Sequence, residues 1–351
     1  MNMQKKVIRI NGTDVEPGQR LTIDIPVARL HTHTPVNMPV HIIRSKRPGP
    51  CLFVCAAVHG DEINGVEIIR RLLRQPGLKR LHGTLLAVPI VNVFGFLNHT
   101  RYLPDRRDLN RSFPGSEKGS LTARLADLFV REIVEHATHG IDLHTGAVHR
   151  TNLPQIRANL EDAETERLAR AFSAPVLLNT DTRDGSLRQV ATDMGVTMLL
   201  YEAGEALRFD EITIRAGVHG IIEVMRALDM LPASRRKRQS SEPVIALSSS
   251  WIRAPASGIL RTVAPLGAHI RRGTLLGMIS DPFGEQEIEV RTNFSGVIIG
   301  RNNLPLVNEG DALFNIGRFE KPKDVAAQVE AFHSTAHDLL DETEEFEPPI
   351  V

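Results

Sequence analysis

From residue 51 onward, short apolar runs alternate with amphipathic stretches, and this alternation constrains the fold more than any other feature of the chain. The runs "CLFVCAAV", "GTLLAVPIV", "GIDLHT", "APVLLN" and "VTMLLYEAG" are too continuously apolar to be half-exposed strands. Between them, residues 62–75, "SLTARLADLFVREIVEHATHG" and "ETERLARAFSA" carry apolar residues at helical spacing. Strands buried on both faces need helices to cover them, which points to an α/β layered domain with a mostly parallel or mixed sheet. Residues 1–48 read differently: "RLTIDIPVARL" alternates in the β manner, so this segment is expected to be β structure packing on the layered domain.

A chain of 351 residues is long for one ordinary domain, and two are expected. After a helix near 211–231, the polar, basic "LPASRRKRQSSEP" marks a boundary. The layered domain is therefore assigned to 49–232 and a linker to 233–242, with "RRKR" read as solvated linker rather than as a nucleic-acid patch. Residues 243–318 hold an internal half-repeat, in which "APASGILRTVAPLGAHIRRGTLLGMI" and "TNFSGVIIGRNNLPLVNEGDALFNIG" share a Ser-Gly, strand, polar turn, strand order. Two such units suggest a C-terminal all-β, barrel-sandwich-like domain whose shape resembles biotinyl and lipoyl domains. Its connecting turn "SDPFGEQEIEV" has no lysine to carry a swinging cofactor, so a structural or homo-oligomeric role is expected instead. The acidic, helix-prone tail 319–351 places His333 and His337 four apart, read as a solvated helix face because no third ligand is near.

Acidic and basic residues number 42 each, so overall charge favours neither nucleic acid nor an anionic membrane as partner, and small molecules are expected. The N-terminus lacks the apolar run of a secretory signal and no stretch has the roughly 18 apolar residues of a membrane span. A cytoplasmic location is expected. The two cysteines, Cys51 and Cys55, lie in one apolar strand and are read as small buried hydrophobes, too far apart along it for a disulfide.

Chemistry concentrates where strands end in glycine turns. In "AAVHGDEINGVEIIRRLL", His59 ends a strand, Gly60 permits a sharp turn and Glu62 begins the helix. An imidazole and a carboxylate so placed can converge on a cation, although a carboxylate near the positive end of a helix explains Glu62 alone. A third ligand is the test, and His144 in "GIDLHTGA" ends another apolar strand at what should be the same sheet edge. Asp142, two residues earlier, faces the same side and could orient a ligand imidazole. Glu202, in "VTMLLYEAGEA", follows a third apolar strand and would be a partly desolvated carboxylate suited to moving protons. The loop "NHTRYLPDRRDLNRSFPG" offers Arg101, Asn110 and Arg111 for an anion.

Taken in order, "HGDEING", "DLNRSFPG", "DLHTG" and "YEAG" resemble the motifs of the succinylglutamate desuccinylase and aspartoacylase family, within the zinc carboxypeptidase superfamily. The resemblance covers roughly residues 45–230. It implies a zinc-carboxypeptidase-like mixed sheet flanked by helices, with one Zn2+ held by His59, Glu62 and His144. It further implies Glu202 as general base and proton shuttle, Asn110 and Arg111 as binders of a substrate carboxylate, and Arg101 as the group that polarises the scissile carbonyl. The segment between Arg101 and Asn110 is longer than in aspartoacylase-like members, so Arg106 or Arg107 is an alternative to Arg101. Arg188 in "GSLRQVA" stands where the family has a further substrate arginine.

The expected activity is zinc-dependent hydrolysis of the amide bond of an N-acyl amino acid or related small N-acyl amine. The alternatives are a zinc carboxypeptidase acting on a peptide or polyglutamate-like tail, and a binding or scaffold protein with a vestigial zinc site. His31 and His33, in "RLHTHTPV", are read as surface residues, Trp251 as a core anchor of the β domain, and Tyr201 as pointing away from the face that carries Glu202.

Overall fold

The computed structural model describes residues 7–181, 183–234 and 244–319. The "RRKR" segment and His333 and His337 lie outside these residues.

The N-terminal segment forms a small antiparallel pair, β1 (Ile8–Ile10) with β2 (Thr13–Val15), and a long hairpin, β3 (Arg20–Arg29) with β4 (Pro35–Arg44). The layered region then runs β5 (Cys51–Ala56), α1 (Asn64–Leu73), β6 (Thr84–Val88), α2 (Val93–Leu97), α3 (Leu121–Glu132), β7 (His139–Gly146) and β8 (Arg150–Ala158). It continues through α4 (Ala163–Phe172), β9 (Val176–Asn179), α5 (Leu187–Asp193), β10 (Thr197–Glu205) and α6 (Glu211–Ala227). Its sheet has the order β3-β4-β6-β5-β7-β10-β8, parallel among β6, β5, β7 and β10 and antiparallel at both sides of that group.

All six residues of β5 are buried, as its unbroken apolar run requires. Strand alternation sorts them to two cores. Leu52, Val54 and Ala56 meet Ile68, Ile69 and Leu72 of α1, with α4 and α6 on the same face, while Phe53 and Cys55 meet Leu125 and Phe129 of α3 and Leu187 of α5 on the other. Each such fully buried aliphatic contributes about 1.5–3 kcal/mol of transfer free energy. Neither cysteine forms a disulfide, and both are buried. Tyr201 faces the α1 side, where its hydroxyl donates to the Thr213 carbonyl at 2.9 Å.

The C-terminal strands are β11 (Val244–Ala246), β12 (Ser248–Arg253), β13 (Gly258–Thr262), β14 (His269–Ile270), β15 (Leu275–Ser280), β16 (Glu287–Arg291), β17 (Gly296–Asn302), β18 (Leu306–Val307) and β19 (Ala312–Arg318). The half-repeat is visible in the pairing. The short strand of each unit pairs with the first strand of the other, β14 with β17 and β18 with β13. Their shared core includes Leu260, Ile279, Ile298, Leu313 and Phe314.

This region does not stand apart from the main sheet. β17 pairs with β8 through Gly300–Asn152, Arg301–Thr151 and Asn302–Arg150, and β11 pairs with β9, so the ladder runs on to β19 and β12. A seam of Leu153, Val176, Leu178, Val297, Ile299 and Phe319 fills the join.

Candidate active site

The three motif strands β5, β7 and β10 lie side by side and parallel, so their C-terminal ends open at one sheet edge. The register is specific: Asp142 is flanked by Cys55 and Leu200, and His144 pairs directly with Glu202. In a parallel ladder, paired residues point to the same face, which puts His144 beside Glu202 without any help from loops.

His59 arrives from the turn after β5. Gly60 is obligatory there, because a Cβ at that position would lie 2.0 Å from the Gly95 carbonyl carbon and 2.1 Å from the Phe96 nitrogen. Glu62 follows in the turn, two residues ahead of α1 rather than within its first turn. Its carboxylate is 2 % exposed and bridges both imidazoles, Oε1 to His59 Nδ1 at 2.8 Å and Oε2 to His144 Nδ1 at 2.7 Å, with the Thr145 amide donating at 3.1 Å.

Each imidazole is also held from behind. His59 Nε2 meets Asp108 at 3.1 Å, and His144 Nε2 meets the fully buried Asp142 at 2.8 Å. Burial works against the charges on Glu62, Asp108 and the two imidazoles, yet the opposed charges win. Glu62 and Asp108 are held well below the usual carboxylate range, and both histidines are raised, His144 strongly. Cys55 donates to Asp142 at 3.4 Å, and burial pushes its thiol up, keeping it a neutral donor.

The donor set fits a zinc ion. One ligand atom from each of His59, Glu62 and His144 lies within 4.8 Å of the others, and all three residues are buried. Two imidazoles and a carboxylate are a catalytic zinc set, and with an ion bound the carboxylate on the far ring nitrogen of each histidine would hold the neutral tautomer that turns Nδ1 toward it.

Around this floor is a cavity of about 300 Å³. Arg101 lines it, clamped by Asp108 at 2.9 and 3.1 Å and reaching Glu62 at 3.3 Å, whereas Arg106 and Arg107 are exposed and outside it. Asn92 both caps α2 and binds the Arg101 carbonyl, which anchors the loop. Asn110 and Arg111 line the cavity too. Asn110 Oδ1 accepts from the Leu187 amide at 2.9 Å, tying this loop to the start of α5, where Arg188 sits buried. Arg188 donates to the Thr180 hydroxyl and the Asp181 carbonyl, and burial together with Arg157 and Arg183 pushes it down to about 10.

All eight residues singled out in the sequence, His59, Glu62, Arg101, Asn110, Arg111, His144, Arg188 and Glu202, line this one cavity. One expectation is extended and one needs correction. Glu202 is partly shielded from solvent, in line with its place after an apolar strand, and it also forms an ion pair with Arg157, from the neighbouring β8. Trp251 is not a core anchor: it is half-buried and lines the cavity, with the Arg150 guanidinium 5.3 Å from its ring centre. Arg157, Arg150 and Asp108 escaped the sequence reading. An arginine inside the apolar run "NLPQIRANL" was the one available signal, since a charge in a buried strand requires a partner.

Comparison with known proteins identifies the family. Residues 48–228 match the family described as the succinylglutamate desuccinylase/aspartoacylase catalytic domain. The chain is 26 % identical over 309 residues to the N-alpha-acetyl-L-2,4-diaminobutyric acid deacetylase of Halomonas elongata, covering 79 % of this chain and 84 % of that one. Its fold is similar to that of a succinylglutamate desuccinylase from Silicibacter sp. TM1040, with a TM-score of 0.77, 25 % identity and coverage of 87 % and 96 % of the two chains. The product-bound ectoine utilization protein EutE (DoeB) of Ruegeria pomeroyi superposes with a TM-score of 0.78 at 23 % identity, over 87 % and 96 %. Ordered motifs, converged site residues and the family match over more than half its length together establish that this chain belongs to the succinylglutamate desuccinylase/aspartoacylase family.

Proposed function

We propose that the protein is a zinc-dependent deacylase that hydrolyses the amide bond of an N-acyl amino acid or related small N-acyl amine. The observation that carries this reading is the pairing of His144 with Glu202 across β7 and β10, which sets a carboxylate beside the His59–Glu62–His144 cluster. A zinc ion held there would polarise the acyl carbonyl and make water a better nucleophile at neutral pH.

The chain supplies the rest. Glu202 takes a proton from the attacking water on its carboxylate and returns it to the leaving nitrogen, so that the amine departs neutral. Arg157 beside it keeps the carboxylate aimed into the cavity. Arg101, fixed by two bonds to Asp108, presents its remaining N–H groups to the carbonyl oxygen as charge develops there. Asn110, Arg111 and Arg188 hold the substrate carboxylate, and the Asn110–Leu187 bond keeps the two groups in fixed relation. A cavity of about 300 Å³ with a tryptophan at its rim suits a small acylated amino acid better than a peptide tail. Kinship with a deacetylase of an N-acetylated amino acid supports the same choice.

Glu202→Gln tests the reading. With N-acetyl, N-succinyl and N-formyl amino acids as a panel, the variant is expected to lose about 10³-fold in kcat while keeping its zinc content and Tm. Full activity in the variant would remove Glu202 from the mechanism, and a wild-type protein inert on the whole panel would overturn the deacylase reading.

A further inference from the structure

Glu202 stands at a break in the sheet. The pairing of β10 with β7 shifts register between Glu202 and Glu205, and that with β8 shifts between Glu202 and Gly204, so the ladder is interrupted just past the carboxylate. The chain at that point needs other anchors. Both neighbours of Glu202 face α1 and α6, on the side away from the cavity. Tyr201 is held there by its bond to the Thr213 carbonyl, and Ala203 is held by Asn64.

Asn64 is the first residue of α1, two positions after Glu62, and is 2 % exposed. Its side-chain amide makes three bonds, all to the chain that follows Glu202. Nδ2 donates to the Ala203 carbonyl at 3.4 Å and to the Thr213 hydroxyl at 3.2 Å, and Oδ1 accepts from the Asp210 amide at 3.1 Å. The Asp210 N–H can only donate and the Ala203 carbonyl can only accept, so the position needs a donor and an acceptor on one short side chain. Asparagine has both, and aspartate lacks the donor. The Asp210 carboxylate also caps α6 through the Thr213 amide at 3.0 Å, so these bonds end on a fixed helix start. Gly204, at φ +76°, completes the fit, because a Cβ there would lie 2.6 Å from Asn64 Nδ2. The Glu62 turn has anchors of its own, the Leu207 amide on the Asp61 carbonyl at 2.8 Å and Gly60 against the backbone of residues 95–96.

We infer that Asn64 is a positioning residue for Glu202: it ties the helix that follows Glu62 to the chain just past the general base, and so sets where the Glu202 carboxylate lies relative to the His59–Glu62–His144 cluster. The inference rests on the reading of Glu202 as general base. Asn64 itself does not line the cavity.

Asn64→Ala removes all three bonds, whereas Asn64→Asp keeps the acceptor for Asp210 and loses the donor to Ala203. With a substrate from the acyl amino acid panel, both are expected to lower kcat about 10- to 100-fold with KM within about 2-fold, since a displacement of about 1 Å is enough at a reacting group. Zinc affinity, measured by chelator competition, should stay within about 3-fold, which a general loosening of the site would not allow. In a Glu202→Gln background, Asn64→Ala should cost less than about 2-fold more, because a residue that acts through Glu202 has nothing left to position. Gly204→Ala, which displaces the same contact from the other side, should reproduce the loss in kcat. Amide exchange needs no turnover: residues 203–210 should exchange about 10-fold faster in Asn64→Ala than in wild type, with α3 and α4 unchanged. Full multiplication of the Asn64→Ala and Glu202→Gln losses overturns the inference, as does zinc affinity falling as far as kcat, or unchanged exchange over 203–210. Failure of the deacylase reading shows instead as a wild type inert on the panel, so the two failures are distinct.

Discussion

The floor and the rim of the cavity treat charge in opposite ways. On the floor, both nitrogens of His59 and of His144 face a carboxylate, and the residues are 6 % exposed or less apart from Asp108. At the rim, Arg111, Arg150 and Arg183 are exposed and have no acidic partner among the described residues. A buried charge must be matched within the fold, whereas an exposed one is matched by water until a ligand arrives. The floor should therefore contribute to the protein's stability as well as to the proposed chemistry, whereas the rim should matter for anion binding and little for stability.

Removing a floor residue should show this most severely. His144→Ala would take one residue from the proposed zinc set and a partner from Glu62 and Asp142 at once. Breaking a buried pair on one side leaves an uncompensated charge, so the metal-free variant is expected to lose about 3 kcal/mol in urea denaturation relative to metal-free wild type. Zinc retention after dialysis should be lost, and activity should fall by more than about 10³-fold. A metal-free variant as stable as wild type would mean that the floor is not internally matched.

Most of the floor could be read from the chain because its ligands end apolar strands at glycine turns, and strand ends in an α/β sheet converge by topology. His59, Glu62, His144 and Glu202 needed only that rule and the motif order. The mixed sheet was legible for the same reason, since β5, β7 and β10 are buried on both faces and read as continuous apolar runs. Arg157 and Trp251 were not legible, because each acts through a register. Nothing local in "SSSWIR" indicates that β12 extends the ladder that β8 begins, and nothing in "LPQIR" indicates which acid would lie opposite. Such contacts join residues about fifty to a hundred positions apart and depend on how two regions dock.

The residues behind the two imidazoles should give a smaller effect. Asp142 accepts from His144 Nε2 and from Cys55, and its replacement by Asn keeps the volume while offering a weaker acceptor. Zinc affinity of Asp142→Asn, measured by chelator competition, is expected to fall about 10- to 100-fold, with kcat of the fully loaded enzyme reduced less. Unaltered affinity would show that His144 keeps its tautomer without Asp142.

Salt should separate the two regions with the gentlest perturbation. Screening shortens from about 10 Å at 0.1 M to about 3 Å at 1 M ionic strength and acts on exposed charges far more than on buried ones. The exposed Arg111, Arg150 and Arg183 should therefore lose their attraction for an anionic substrate, whereas the matched floor should not respond. Raising sodium chloride from 0.05 to 0.5 M is expected to raise KM by about 3-fold with kcat unchanged. Arg111→Ala should start from a higher KM and show a flatter salt dependence, because one of the screened charges is already gone. If KM were indifferent to salt while kcat fell, the electrostatics that matter would lie at the buried floor, and the division of the cavity into a matched interior and an anion-seeking rim would fail.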